Sequence, residues 1–434
     1  MKRYERYKPS GIDWIGEIPE TWIDLKNKYC SKILNGYAFK SEEYVESGLP
    51  VIRIGDIRPV IILDSCKRVP SSYLEEYSEF RIQKGDILLA LTGATIGKST
   101  VYDLDEPALL NQRVAVVRPQ NGIIQRYLRY IIFSHFFRRH IDLECEGGAQ
   151  ENIGKEEIGR FSVSMPSMKE QTAIANYLDR KTAQIDDLIA KKQKLIDLLD
   201  EEKTAIINQA VTKGLNPNTP MKDSGIPWLG EIPTHWEIKK IKYIANLTLG
   251  KMLTGEDKGG NFLKPYLRAQ NISWFKCDTS DVKEMWFSQS ELIKYRVNLN
   301  DLLVSEGGDV GRTCIWMNEL DECYIQNSVH KITFKKYFNP KYFLYLFYCF
   351  GRKGYFFSIV NQISIGHLTG EKLKEVFTIF PGFDEQTAIV DYLDRKTDQM
   401  DDVISKTHHE IELLQEYRTA LISEAVTGKI DVRI

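Results

Sequence analysis

Three stretches of this 434-residue chain carry residue types that could do chemistry. The first, Gly93-Ala94-Thr95-Ile96-Gly97-Lys98-Ser99, has the glycines, lysine and hydroxyl of a phosphate-binding loop. Such a loop needs four residues between its first glycine and the Gly-Lys pair, so that backbone N–H groups can wrap the phosphates. Here there are three, and a second version, Gly307-Gly308-Asp309-Val310-Gly311-Arg312-Thr313, replaces lysine with arginine. A nucleotide site is not expected. What remains is a tight glycine turn after a strand, with Lys98 or Arg312 at its tip. Such a tip either reaches a phosphate or base edge or is a plain surface turn. The second stretch, Asp200-Glu201-Glu202, could suggest a nuclease carboxylate cluster. It lies in a helical pattern whose counterpart reads Gln415-Glu416-Tyr417, so a solvated helix face is expected. The third candidate is cysteine and histidine chemistry. The seven cysteines are odd in number and never spaced as CxxC, and no histidine spacing suggests a metal. The Asn-Pro-Pro-aromatic sequence of base amination is missing too. No catalytic constellation is read, and none of these elements implies a cofactor in this chain.

Charge offers a different kind of chemistry. The net charge is -2, which excludes holding a polyanion by bulk positive charge. Yet residues 107–141 contain no acid and carry Arg113, Arg118, Arg126, Arg129, Arg138 and Arg139. Residues 323–370 also contain no acid and carry Lys331, Lys335, Lys336, Lys341, Arg352 and Lys353. Screening limits surface charges to about 10 Å, so a local basic stripe can neutralise phosphates under a neutral total. These twelve residues, with Lys98 and Arg312, are the expected phosphate contacts. The alternative is that the bases solvate helices whose interleaved aromatics are core. Residues 381–434 carry a net -6.

The elements that must position these residues occur twice. Residues 10–22 read SGIDWIGEIPETW and residues 224–236 read SGIPWLGEIPTHW, with nine of thirteen positions identical. Residues 170–182 and 385–397 match at eleven of thirteen. The offsets are 214 and 215, so the chain is a tandem duplication. Each copy begins with a long mixed part holding turn-bounded apolar strands, such as Asp86–Leu91 and Asp301–Val304. Each ends in one long helix, near 168–211 and 384–426. Alternate steps of four and three from Leu178 through Ile185, Ile189, Ile196 and Leu199 to Ala210 trace an apolar seam. So do steps from Leu393 to Ala425. A sustained period of 3.5 residues is a coiled-coil seam, and two matching helices are expected to pair with each other rather than pack singly. Lys213–Pro220 breaks the first helix.

The repeated Gly-Ile-x-Trp-x-Gly-Glu-Ile-Pro-x-x-Trp segments resemble the specificity (HsdS) subunit of type I restriction–modification systems. So do Gly-Asp-Ile-Leu-Leu with Thr-Ile-Gly-Lys, the Glu-Gln-x-x-Ile-x-x-Tyr-Leu-Asp helix starts and Gly147–Ile153. The strand motif is weakened in the second copy, where it reads Leu299-Asn300-Asp301-Leu302-Leu303.

The resemblance implies an α+β pseudo-two-fold repeat: two mixed α/β target-recognition domains separated by two long antiparallel coiled-coil helices. The expected division is 1–165 and 225–380 for the recognition domains. Residues 166–213 and 381–434 hold the spacer helices, the latter with the C-terminal tail, and 214–224 form the linker. It further implies a non-catalytic DNA-recognition subunit that reads a bipartite asymmetric site on double-stranded DNA. Two methyltransferase subunits and the restriction subunits would join it. S-adenosylmethionine, ATP and Mg2+ would belong to those partners. Glu170, Gln171, Tyr177, Asp179 and their counterparts Glu385, Gln386, Tyr392 and Asp394 are expected to dock the methyltransferases. The rival for the helix starts is plain early-turn carboxylate chemistry. A helix of 44 residues is about 66 Å long, against about 34–36 Å between half-sites one DNA turn apart. The N-terminus lacks the apolar stretch of a signal peptide, and a cytoplasmic chain without membrane spans is expected. The competing readings are a coiled-coil scaffold that never touches DNA and a stand-alone nuclease or ATPase.

Overall fold

A computed structural model describes residues 2–12, 14–120, 122–145, 152–257, 259, 261–359 and 367–433. The chain forms two compact units. One joins Met1–Lys192 to His409–Ile434, and the other is Gln193–His408. The cut falls inside both long helices.

In the first unit a four-stranded antiparallel sheet is built from β1 (Ser31–Asn35), β2 (Ile87–Ala90), β3 (Ser99–Val101) and β4 (Val114–Pro119), in the order β1-β4-β2-β3. Ile87–Ala90 are buried on both faces, which is why they read as an unbroken apolar run rather than an alternation. A second sheet carries the parallel pairing of Leu49–Ile52 with Ala108–Leu110. The aromatic segment Gln125–Ile132 follows as helix α1, and His135–Cys145 as α2. The long helix α3 runs Met168–Lys213. Its start is a capping box: Ser167 N–H donates to the Glu170 carboxylate at 3.3 Å, and Glu170 N–H donates to Ser167 Oγ at 3.4 Å.

The second unit repeats the plan. Strands β5 (Ala245–Leu249), β6 (Leu302–Ser305), β7 (Thr313–Ile315) and β8 (Val329–Phe334) stand in the order β5-β8-β6-β7. Phe262–Leu267 pairs in parallel with Tyr324–Ile325, as its counterpart does. Helix α4 covers Pro340–Arg352 and the second long helix, α5, covers Phe383–Val426.

The 3.5-residue seam is where the helices bury. Leu178, Thr182, Ile185, Ile196 and Ala210 are buried on α3, as are Leu393, Thr397, Thr407, Ile411, Leu421 and Ala425 on α5. Within the first unit the start of α3 lies antiparallel to the end of α5: Arg418 Nε sits 2.9 Å from Asp186, and Lys192 pairs with Glu410. Within the second unit Lys203 pairs with Asp401 at 2.6 Å. Lys192, Lys203 and Arg418 interrupt the apolar seam in sequence, and each meets a carboxylate of the facing helix. Their aliphatic stems cover the seam while their heads reach its rim.

Each helix therefore ends in the core of the other copy's unit. Ala425 and Val426 pack with Trp22 and Tyr127, while Ala210 and Val211 pack with Trp236 and Tyr342. Gly428 lies against that first tryptophan in a left-handed turn (φ +69°), where an added Cβ would fall 2.4 Å from Pro19. Only glycine satisfies both the turn and the space.

Candidate nucleic-acid interface

Five of the twelve basic residues of the acid-free stretches, Arg118, Arg126, Arg129, Arg138 and Lys341, find carboxylates within their own unit. Arg126 and Arg129 both donate to Asp179 of α3, at 2.8 and 2.5 Å, and the Tyr130 hydroxyl donates to the same carboxylate at 2.7 Å. The second copy repeats this with Lys341 and the Tyr345 hydroxyl on Asp394, each at 2.7 Å. Arg118 grips the buried Asp86 with two donors, at 2.7 and 2.6 Å. Thr333 takes the place of Arg118 in the second copy and donates to Asp301. Burial raises the Asp301 pKa above the usual carboxylate value. Lys331 is buried, its ammonium donating to the Arg296 carbonyl at 2.6 Å, and burial lowers its pKa. Lys335 donates to the Tyr243 carbonyl at 2.9 Å. Arg138 donates to the Ile96 carbonyl and pairs with Asp142 at 2.9 Å. Absence of acid along the sequence is thus not absence of acid in space.

Other bases stay outward. Lys98, Arg113 and Arg139 are exposed, with no side-chain partner among the described residues. Lys336, Arg352 and Lys353 lie over aromatic rings: Tyr337 at 5.0 Å, Tyr348 at 6.0 Å and Trp228 at 6.0 Å. Arg312 stands 3.8 Å from Asp309, and its buried Nε has no acceptor. The two glycine-rich stretches are hairpin turns, β2 to β3 and β6 to β7. A Cβ on Gly97 would meet Arg138 at 2.9 Å, and one on Gly311 would meet Phe356 at 2.3 Å. Their glycines permit close packing on the following helix.

The repeated helix starts face inward. Glu170 and Gln171 are buried. Glu170 accepts from Trp22 Nε1 at 3.4 Å. Gln171 accepts from the Ile124 backbone N–H at 2.8 Å and donates to the Pro166 carbonyl at 3.1 Å. In the second copy Glu385 accepts from Trp236 Nε1 at 3.2 Å. Gln386 accepts from Asn339 N–H at 2.9 Å and donates to Pro381 at 2.9 Å. Tyr177 and Tyr392 are half-buried against the two cores. These side chains tie each mixed body to the first turns of its own helix.

One polar cluster lies within the acid-free stretches, where charge marks only one of its residues. The three residues Asn111-Gln112-Arg113 link two apolar strands, and they share a surface cleft with Tyr44, Arg53 and Gly55. Their counterpart is Gln326-Asn327-Ser328. Of these six, only Arg113 stands out from charge. The available signal was an amide pair between apolar strands at the same place in both copies.

Residues 19–198 and 233–413 each match the family described as the type I restriction modification DNA specificity domain. The chain belongs to this family. It is 31% identical over 204 residues to the type I restriction enzyme MjaVIII specificity subunit of Methanocaldococcus jannaschii, covering 46% of this chain and 47% of that protein. The match thus spans about half the length of that relative. It is 24% identical over 426 residues to the putative type I restriction enzyme MjaX specificity subunit of the same organism, covering 96% of each. The fold resembles that of a solved chain described under complex assembly and conformational transition of the type I R-M system. There the TM-score is 0.64 at 13% identity, covering 94% of this chain and 98% of the other.

Each specificity-domain match takes in one mixed body and much of the helix that follows it. The Gly147–Ile153 segment of the resemblance lies, over residues 147–151, outside the described residues. Among the described residues no group of three or more His, Cys, Asp or Glu side chains could hold a metal ion. No helix among them is long and apolar enough to cross a membrane.

Proposed function

We propose that this chain is the DNA-recognition subunit of a type I restriction–modification assembly, without a catalytic site of its own. The observation that carries this is a fixed frame with variable loops. The two bodies share residues at several points where they hold their helices, as in Trp22 and Trp236, Tyr127 and Tyr342, Gln171 and Gln386. They differ where loops leave the sheet, as in Asn111-Gln112-Arg113 against Gln326-Asn327-Ser328. Such a chain is suited to present two different reading surfaces from one scaffold. The recognition domains fall at 1–165 and 225–380, with 166–213 and 381–434 as spacers and 214–224 as linker. Each domain reads one half of an asymmetric bipartite site in double-stranded DNA.

Two methyltransferase subunits dock on the helices, and restriction subunits join that core in the cytoplasm. Because Glu170, Gln171, Asp179, Glu385, Gln386 and Asp394 are engaged inside their own units, docking falls on exposed neighbours. The acidic outer face of α5, with Asp391, Asp398 and Asp402, is the favoured surface. S-adenosylmethionine, ATP and Mg2+ belong to the partners. Phosphate contacts fall to the outward bases, Lys98 and Arg139 first, then Lys336, Arg352 and Lys353. Co-expression with the methyltransferase subunit of the same system, followed by genome-wide mapping of methyladenine, tests the reading. The expected result is one asymmetric motif in two parts with a fixed gap. A continuous or palindromic motif, or none, overturns it.

A further inference from the structure

We infer that base identity is read by the short link before β4 in the first unit and by its counterpart before β8 in the second. This rests on the DNA-recognition reading above and names the residues that give it specificity. A base-reading side chain has to reach solvent, lack internal partners and stand on fixed backbone. Gln112 and Arg113 are exposed and carry no side-chain hydrogen bond among the described residues. Their backbone is pinned from three directions: Asn111 N–H donates to the Ile52 carbonyl at 3.0 Å, Gln112 N–H to Tyr37 at 2.9 Å, and Leu91 N–H to the Arg113 carbonyl at 3.0 Å.

The second unit holds the backbone of the equivalent link in the same way, with Gln326, Asn327 and Ser328 half-buried. Gln326 N–H donates to Leu267 at 3.0 Å, Asn327 N–H to Lys251 at 2.8 Å, and Glu306 N–H to the Ser328 carbonyl at 2.9 Å. Gly36 and Gly250 let the neighbouring loop approach this close. A Cβ on Gly36 would fall 2.1 Å from the Leu110 carbonyl oxygen, and one on Gly250 would fall 2.4 Å from the Gln326 carbonyl carbon. The presentation is one; the side chains are two. Asn-Gln-Arg against Gln-Asn-Ser therefore supplies a difference between the halves of the target.

The chemistry of these side chains gives the bases. A primary amide pairs with the N6 and N7 edge of adenine in the major groove, and arginine pairs with N7 and O6 of guanine. The first link offers the Gln112 amide, Asn111 accepting instead from the Arg113 N–H, and the second offers Gln326 and Asn327, so an adenine contact is expected in each half. Only the first unit places an arginine beside them. Beside the second link, Met252 and Leu253 are 76% and 63% exposed, which suits contact with thymine methyl groups. The half-site of the first unit contains a guanine contacted by Arg113, and that of the second unit is read through A·T pairs.

The test uses the full chain with its methyltransferase partner and methyladenine mapping. Arg113→Ser, which installs the second copy's residue, is expected to relax one guanine position in one half and leave the other half and the gap unchanged. Binding competition between duplexes differing at that base should narrow by about 5- to 150-fold, the range of one good bidentate contact. Ser328→Arg is the reciprocal variant and should add a guanine preference to the opposite half, which guards against a simple failure of Arg113→Ser to fold. A bipartite wild-type motif that neither variant alters overturns this inference alone. Uniform weakening on all sequences also overturns it, by making Arg113 a phosphate contact. A wild-type motif that is not bipartite instead overturns the function on which the inference rests.

Discussion

The Tyr127 hydroxyl stands 3.4 Å from the carbonyl of Val426, a residue of the other copy's helix. It lies at the same distance from the Ser164 carbonyl. Tyr342 mirrors this with Val211 at 3.2 Å and Ile379 at 3.1 Å. Both tyrosines are fully buried, and burial raises both phenol pKa values well above normal, so the hydroxyls remain donors.

Removing either hydroxyl orphans two buried carbonyls while leaving the shape intact. Tyr127→Phe and Tyr342→Phe are each expected to cost about 1–3 kcal/mol. The double variant should cost the sum, because the two contacts sit in separate units and share no partner. Urea unfolding of the four proteins checks this. A cost below about 0.5 kcal/mol for either would show that the hydroxyl contributes nothing beyond packing.

Asp179 separates two roles for Arg126 and Arg129. Asp179→Asn keeps the volume and removes the charge that holds both guanidinium groups. Since the carboxylate is about a third exposed, the expected loss is a modest 1–2 kcal/mol, roughly. Sequence-specific DNA affinity of the folded protein should be unchanged. Thermal unfolding and DNA titrations across salt concentrations measure the two effects. Undiminished stability with tighter, more salt-dependent DNA binding would put these arginines on phosphate instead.

His330 gives the second unit a pH dependence. It is fully buried, with Nε2 2.8 Å from the Leu368 carbonyl and no partner for Nδ1. Burial lowers its pKa. The unfolded chain therefore takes up a proton near pH 6.5 that the folded chain refuses, so the unfolded state binds more protons below that pH. Stability from this site is complete above about pH 6.5 and falls as pH drops, by at most about 1.36 kcal/mol per unit. His330→Gln keeps a donor for Leu368 without a titrating ring. Its urea midpoint should change less between pH 7.5 and 5.5 than that of the parent, and an equal change would assign the slope to other groups.

The frame was legible in the sequence because its contacts use the same residues twice. Trp22, Gln171 and Tyr127 recur as Trp236, Gln386 and Tyr342, and the helical seam follows from a period that packing enforces. The site was less legible. Charge along the chain marked Arg118, Arg126 and Lys341, whose carboxylate partners Asp86, Asp179 and Asp394 arrive from distant positions. Pairing across the fold cannot be read from local composition. Of the Asn111-Gln112-Arg113 link only Arg113 was legible, because neutral amides leave no trace in a charge count.

The division of the helices between the units also sets an order of assembly on the ribosome. The second unit is one unbroken segment, Gln193–His408, whereas the first lacks His409–Ile434 until those residues have been made. At about 5–20 residues per second, the wait between Lys192 and His409 lasts roughly 10–45 s. Through that interval Trp22 and Tyr127 lack the cover of Ala425 and Val426. The half of the protein made first is completed last, and its nascent apolar surface is the stage of biogenesis most open to aggregation.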